Sequence, residues 1–345
     1  LPSRLVVNFY IITSTSYLKD HKSQDHKILD ERTVDPIQEN IENTIQQFAK
    51  IATSAIKQHD EGILPSEDND ILYEKMVEII NDLTELVKNS NNAYKFLKSK
   101  GLDRIVAPNI MDIDDELKTN LLILLKVLFD VAPTTTKAVI PAVIVDGLLD
   151  IFEKDNLALK AHVLDVLYVW LPGNPRVQTR VMKLKGLEPF YKQITNLDNA
   201  VIKKLLDLFN KILDEHLKVK NEIQKNKIHS ENAVIYQRIG LIERMSTPLV
   251  CNGLLNIFAT SWTYKTNDNN LIITVFDLIK NVKQFCLRIF RGKTKAIDLF
   301  NALFDYVEDP KNNDYFVANG VNVTDIKSVI AEYAEKVKLS RKDEF

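Results

Sequence analysis

Glycine is scarce, with nine in 345 residues, and stretches in which Thr, Val or Tyr alternate with polar residues are hard to find. Both shortages argue against sheets and tight hairpins and leave an all-α chain. Cysteine is scarcer still. Two residues, Cys251 and Cys286, exclude a disulfide framework; one bridge between neighbouring helices is geometrically possible, but the expectation is two small buried hydrophobes. Neither sign of charge dominates: Lys and Arg total 45 against 47 Asp and Glu, and no long basic stretch offers the cationic surface that phosphate backbones require. Nucleic acid is therefore not expected as a partner. Long hydrophobic runs are missing too. "RLVVNFYII" (Arg4 to Ile12) is too short to span a bilayer and reads either as the remnant of a signal-peptide apolar region or as a hydrophobic arm interrupted by Asn8.

Catalytic signatures are equally thin. The six histidines include no i,i+4 pair and no His-Glu-x-x-His, which excludes a zinc site built on one helix. "FRGKT" (Phe290 to Thr294) mimics the end of a phosphate-binding loop, but Leu287 stands where that motif needs its first glycine, so the segment reads as a helix-end turn. There is no Gly-x-Ser-x-Gly elbow and no Gly-x-Gly-x-x-Gly. The expectation is no enzyme, no metal and no cofactor.

What is present is enough apolar sequence, 45% of residues, for a large core without staples. Residues 1–35 read as a signal remnant or flexible arm, ending in a polar, aperiodic linker. From Pro36, apolar residues recur at helical spacing (Ile37, Ile41, Ile45, Phe48, Ala52, Ile56), so residues 36–69 read as a capping helix and linker. Three later segments align on a Gly-Leu pair at Gly101, Gly147 and Gly186, spaced 46 and 39 residues apart, near the period of armadillo and HEAT units. A fourth unit runs to Gly240 with a polar insertion around Lys218 to Ala233. Each glycine is expected to supply a left-handed helix C-cap. The fold predicted is an armadillo-like helical repeat solenoid of about four units over 70–247, with irregular helical caps at both ends. The C-terminal cap spans 248–339, four helices beginning near Pro248, and 340–345 is a tail.

In armadillo-type stacks the long third helix of each unit lines the concave face. Here those helices are expected near 70–87, 115–131, 157–171 and 199–213. Aligning their ends places Asn81, Glu85, Lys126, Asp130, Asp165, Asp207 and Lys211 along a groove of mixed sign, which suits a folded partner with complementary charge. The groove lacks a repeated Trp and Asn ladder for extended basic peptides, since Trp170 and Trp262 are the two tryptophans.

"LTELVKNSNNAYKFLKSKGL" (Leu83 to Leu102), with its recurrence at armadillo spacing, resembles the armadillo-type nucleotide exchange factors of seventy-kilodalton heat-shock chaperones, in particular the endoplasmic reticulum Sil-type cochaperones of BiP. The resemblance covers roughly residues 70 to 245. It implies a non-enzymatic mechanism: the concave face grips the chaperone's ATPase domain and favours an arrangement that holds ADP poorly. The chain ends in Lys342, Asp343, Glu344 and Phe345, similar to a luminal retrieval signal with Phe in place of the usual Leu, so a retrieval receptor is a second expected partner and the endoplasmic reticulum lumen the expected location. A glycosylation acceptor, "NVT", places a glycan at Asn322. The competing reading is an armadillo scaffold for another folded or peptide partner.

Overall fold

The computed structural model describes residues 35–60, 66–112, 114–131, 140–184, 190, 192–193, 196–224, 231–263 and 269–338, and among these there is no strand. The arm at Arg4 to Ile12, Gly186 and the tail Lys342 to Phe345 lie outside them.

Helix α1 (Pro36–Asp60) opens on a proline, whose missing N–H costs nothing at a first helical position. It buries Ile41, Ile45, Phe48, Ala52 and Ala55 in one stripe, while Ile37, counted with that stripe in the sequence, is 44% exposed. Next come α2 (Ser66–Val87) and α3 (Ser90–Lys98), a π-helical turn (Leu102–Val106) running into Ala107–Asn109, and α4 (Asp115–Val131). They are followed by α5 (Ala142–Lys154), α6 (Leu157–Trp170), α7 (Pro175–Leu184), α8 (Asn199–Gln224), α9 (Glu231–Ile239) and α10 (Leu241–Met245). The chain then forms α11 (Pro248–Thr263), α12 (Asn269–Phe290), α13 (Thr294–Glu308), α14 (Asn313–Ala318) and α15 (Val323–Lys336).

The long helices form one row: α2 packs on α4, α4 on α6, α6 on α8, α8 on α12, and α12 on α15. A second layer covers that row, with α1 on α2 and α3, α5 on α6 and α7, α7 on α9, and α11 on α12 and α13. This is an all-α helical repeat solenoid: each helix buries its stripe against the next unit, so no unit holds a closed core alone. Helix α6 shows the logic most clearly. Flanked by α4, α5 and α8, it buries Leu159, Val163, Leu164, Val166, Leu167 and Trp170, and its apolar residues extend round most of its circumference. Trp170 stacks on Phe129 of α4 with ring centroids 4.5 Å apart. The polar insertion expected after residue 218 lengthens α8, which is helical through Gln224. Phe290 to Thr294 is the turn between α12 and α13, with Gly292 left-handed at φ 69°.

Two expectations are corrected. Gly101 is right-handed, with φ −57°, and the left-handed residue beside it is Lys100 at φ 57°. Gly147 lies inside α5 instead of at a helix end. Both glycines answer to close approach: a β-carbon on Gly101 would stand 2.3 Å from the Phe96 ring, and one on Gly147 2.9 Å from Cγ2 of Ile110. The left-handed cap is real at Gly240, φ 59°, where α9 gives way to α10. The cysteines are the second correction. Cys251 of α11 and Cys286 of α12 are joined in a disulfide with Cα atoms 5.4 Å apart, because packing of these helices brings two fully buried side chains face to face.

Candidate partner-binding face

The residues aligned from helix ends fall on the helices of the long row. Asn81 and Glu85 are on α2, Lys126 and Asp130 on α4, Asp165 on α6, and Asp207 and Lys211 on α8. Asp165 and Asp207 are partly buried and the other five are exposed.

The structure joins several of them across helix boundaries. Asp165 accepts Lys126 from α4 at 3.5 Å and Lys204 from α8, so one carboxylate bridges three neighbouring helices of the long row. His162, one turn earlier, lies in the field of the same two lysines; burial first, then Lys126 and Lys204, holds its imidazole below the ordinary histidine range. Burial and Lys126 likewise depress the Lys204 ammonium. Further along α8, the Lys211 ammonium rests over the Tyr168 ring, 3.8 Å from its centroid. Asp207 accepts the Thr274 hydroxyl of α12 at 2.9 Å. Asn210 donates to the Thr274 carbonyl at 3.1 Å, and Asn281 donates to Asn210 at 3.2 Å. The chain of contacts continues to α15 through Lys280 with Asp325 and Lys283 with Glu332.

Asn81, Glu85 and Asp130 stay outside this ladder. Glu85 pairs with Lys88 one turn on at 2.5 Å, while Asn81 and Asp130 make no side-chain bond among the described residues. Sequence alignment of helix ends missed Lys204, His162, Tyr168, Thr274, Asn210 and Asn281. For Lys204, His162, Tyr168 and Asn210 the signal was a spacing of three from Asp207 or Asp165; Thr274 and Asn281, on α12, had no such signal.

Such pairs are half-exposed and each adds little stability. Their effect is on register and charge: long side chains are held at fixed positions along an exposed strip in which positive and negative groups alternate.

The resemblance segment has a different role. Asn89 caps α3 by accepting the Asn91 amide at 2.9 Å, Asn92 donates back to the Leu86 carbonyl at 3.0 Å, and Ala93, Phe96 and Leu102 are buried. These residues build the α2–α3 corner, so the pattern speaks first to packing.

No family model and no curated protein matches the chain. Among solved structures it is similar to a designed armadillo repeat protein in complex with the peptide (KR)4, at 10% identity and a TM-score of 0.49, covering 85% of this chain and 99% of that one. A second designed armadillo repeat protein is 10% identical with a TM-score of 0.45, covering 86% of this chain and all of its own. An engineered protein is 14% identical with a TM-score of 0.45, covering 85% and 94%. The assignment of an armadillo-like helical repeat solenoid rests on the packing order of the helices themselves.

Proposed function

We propose that this chain is a nucleotide exchange factor that binds the ATPase domain of a luminal BiP-type chaperone through the exposed strip of its long-helix row, and that it performs no covalent chemistry. The observation that carries this reading is the mixed-sign ladder centred on Asp165, clamped by Lys126 and Lys204 across three neighbouring helices of the long row. A rigid strip of alternating charge suits a folded partner of complementary potential better than a flexible peptide, and agrees with what the Leu83–Leu102 resemblance implies.

The mechanism is a coupling between two ligands. If the factor holds the ADP-free chaperone more tightly than the ADP-bound form, ADP weakens the factor's binding by the same ratio, and the factor speeds ADP loss when it stabilises the open arrangement. ATP then enters and frees the client.

Placement in the endoplasmic reticulum lumen belongs to the same proposal. The Cys251–Cys286 disulfide fits an oxidising compartment. Asn322 is exposed at the N-cap of α15; its carbonyl oxygen accepts the Asp325 amide at 3.2 Å, which leaves its amide nitrogen for a glycan.

The deciding experiment is release of a fluorescent ADP analogue from the chaperone's ATPase domain with and without this protein. Acceleration that saturates with concentration is expected; none at saturation removes the exchange reading and leaves an armadillo scaffold for another partner. In cells, a glycosidase-sensitive mass shift lost in Asn322→Gln is the expected sign of luminal entry.

A further inference from the structure

We propose that the pocket between α8, α9 and α10 binds a small neutral aromatic compound that donates a hydrogen bond, a phenol or an indole, with its ring on the apolar wall and its donor on Nδ1 of His216. The pocket encloses about 380 Å³, within the roughly 300–1,000 Å³ of small-molecule sites. Because α8 runs past residue 213 to Gln224, it presents His216, Val219, Lys220 and Ile223 as one stripe at helical spacing. Leu241 and Ile242 of α10 face them.

The polar feature of this pocket is its base. His216 is 5% exposed, and its Nε2 lies 2.9 Å from Oε1 of Gln178. The orientation of that amide is fixed by its other end: Nε2 of Gln178 donates to the Leu171 carbonyl at 2.9 Å and to the Glu215 carboxylate at 3.1 Å. Reversing the amide would set its oxygen against two acceptors. Oε1 must therefore accept, so Nε2 of His216 carries the proton and Nδ1 is left as a bare acceptor. No described residue bonds Nδ1. His216 lines the pocket and Nδ1 is not fully buried, so a ligand donor can reach it there.

The ring is also held still. It meets Tyr236 edge-on at 4.8 Å, and the Tyr236 hydroxyl donates to Glu215 at 3.0 Å while the Gly173 amide donates to the same carboxylate at 2.8 Å. Preorganised acceptors bind with less entropic loss. Ligand charge is disfavoured from both directions. The imidazole is neutral at physiological pH, because burial pushes it down to about 4, and the rim carries Lys220 and Glu243 of opposite sign.

The test uses the full chain, labelled with 15N in histidine, titrated with p-cresol and with 4-methylanisole, which has nearly the same shape but no donor. Binding of p-cresol should shift the Nδ1 resonance of His216, with the anisole at least about tenfold weaker. Ile242→Trp, which fills the pocket and leaves the His216 network untouched, should abolish p-cresol binding with an unchanged circular dichroism spectrum. Equal affinity for the two compounds, no p-cresol binding up to its solubility, an unmoved His216 signal, or undiminished binding to Ile242→Trp would each overturn the proposal.

Discussion

A β-carbon on Gly101 would meet the ring of Phe96 at 2.3 Å, so these two residues share a volume that no larger side chain at position 101 fits without movement. Phe96 is fully buried, and its displacement would disturb the α2–α3 corner. Gly101→Ala should lower the urea-unfolding free energy by about 1–3 kcal/mol through overpacking. Lys100→Gly should be neutral or mildly stabilising, because the left-handed conformation belongs to Lys100 and glycine adopts it freely. The opposite pattern, a harmless Gly101→Ala with a costly Lys100→Gly, would contradict the close-approach account.

This corner also shows what could be read from sequence and what could not. The periodicity of Ile41, Ile45 and Phe48, and the long apolar stripes of α4, α6 and α8, place the helices and their order, because burial of one face imposes the 3.6 period directly. Glycine carries two physical meanings, left-handed backbone and close contact, and only coordinates separate Gly240, which has the first, from Gly101 and Gly147, which have the second. Partnerships across helices were hidden for a similar reason. Lys126, Asp165 and Lys204 are separated by 39 residues at each step, so their meeting depends on how far each helix is rotated in the stack. The base of the pocket was less legible still: His216 lies between the helix expected to end at residue 213 and the polar insertion expected from Lys218, and its role depends on the orientation of the Gln178 amide.

The Cys251–Cys286 bridge closes a span of 35 residues and ties α11 to α12. Chain-entropy arguments assign such a loop about 3–4 kcal/mol. The double variant Cys251→Ser with Cys286→Ser should unfold at clearly lower urea concentration than the oxidised protein. Both sulfurs are fully buried, so dithiothreitol should act on the native protein only at the rate of opening. Rapid reduction under native conditions, followed by mass after alkylation, would contradict this.

His216 makes stability depend on pH in a defined direction. Burial pushes its pKa from 6.5 down to about 4, against the pull of Glu243. Folded His216 thus refuses a proton that the unfolded chain accepts between those values. Its contribution is fully present above pH 6.5 and is lost as pH falls toward 4, with a ceiling of about 3 kcal/mol. Urea unfolding of the wild type should weaken more steeply from pH 7 to 4.5 than that of His216→Phe. The variant will be less stable throughout, since Gln178 loses its partner, so the difference in slope is the readout. Parallel slopes would remove His216 as the cause.

The ladder on the long-helix row offers the most direct test of the binding face. Lys126 and Lys204 are 46% and 39% exposed in their side chains, and exposed pairs of this kind contribute less than ~1 kcal/mol each, so reversing both charges should leave the fold intact by circular dichroism. For a partner docked on this strip the consequence is much larger, because like charges brought together at an interface cost far more than a lost surface pair gains. Under the exchange-factor proposal, Lys126→Glu combined with Lys204→Glu should weaken binding to the chaperone's ATPase domain by about tenfold or more, and the loss should shrink as salt rises. Lys154→Glu provides the control: this lysine is 67% exposed on α5, in the covering layer, and pairs only locally with Asp150. Equal effects from the row variant and the control would mean that the partner does not use the strip. A row-specific loss with ADP release unaccelerated would keep the strip as a docking face while removing exchange as its purpose, so affinity and exchange rate must be measured on the same proteins.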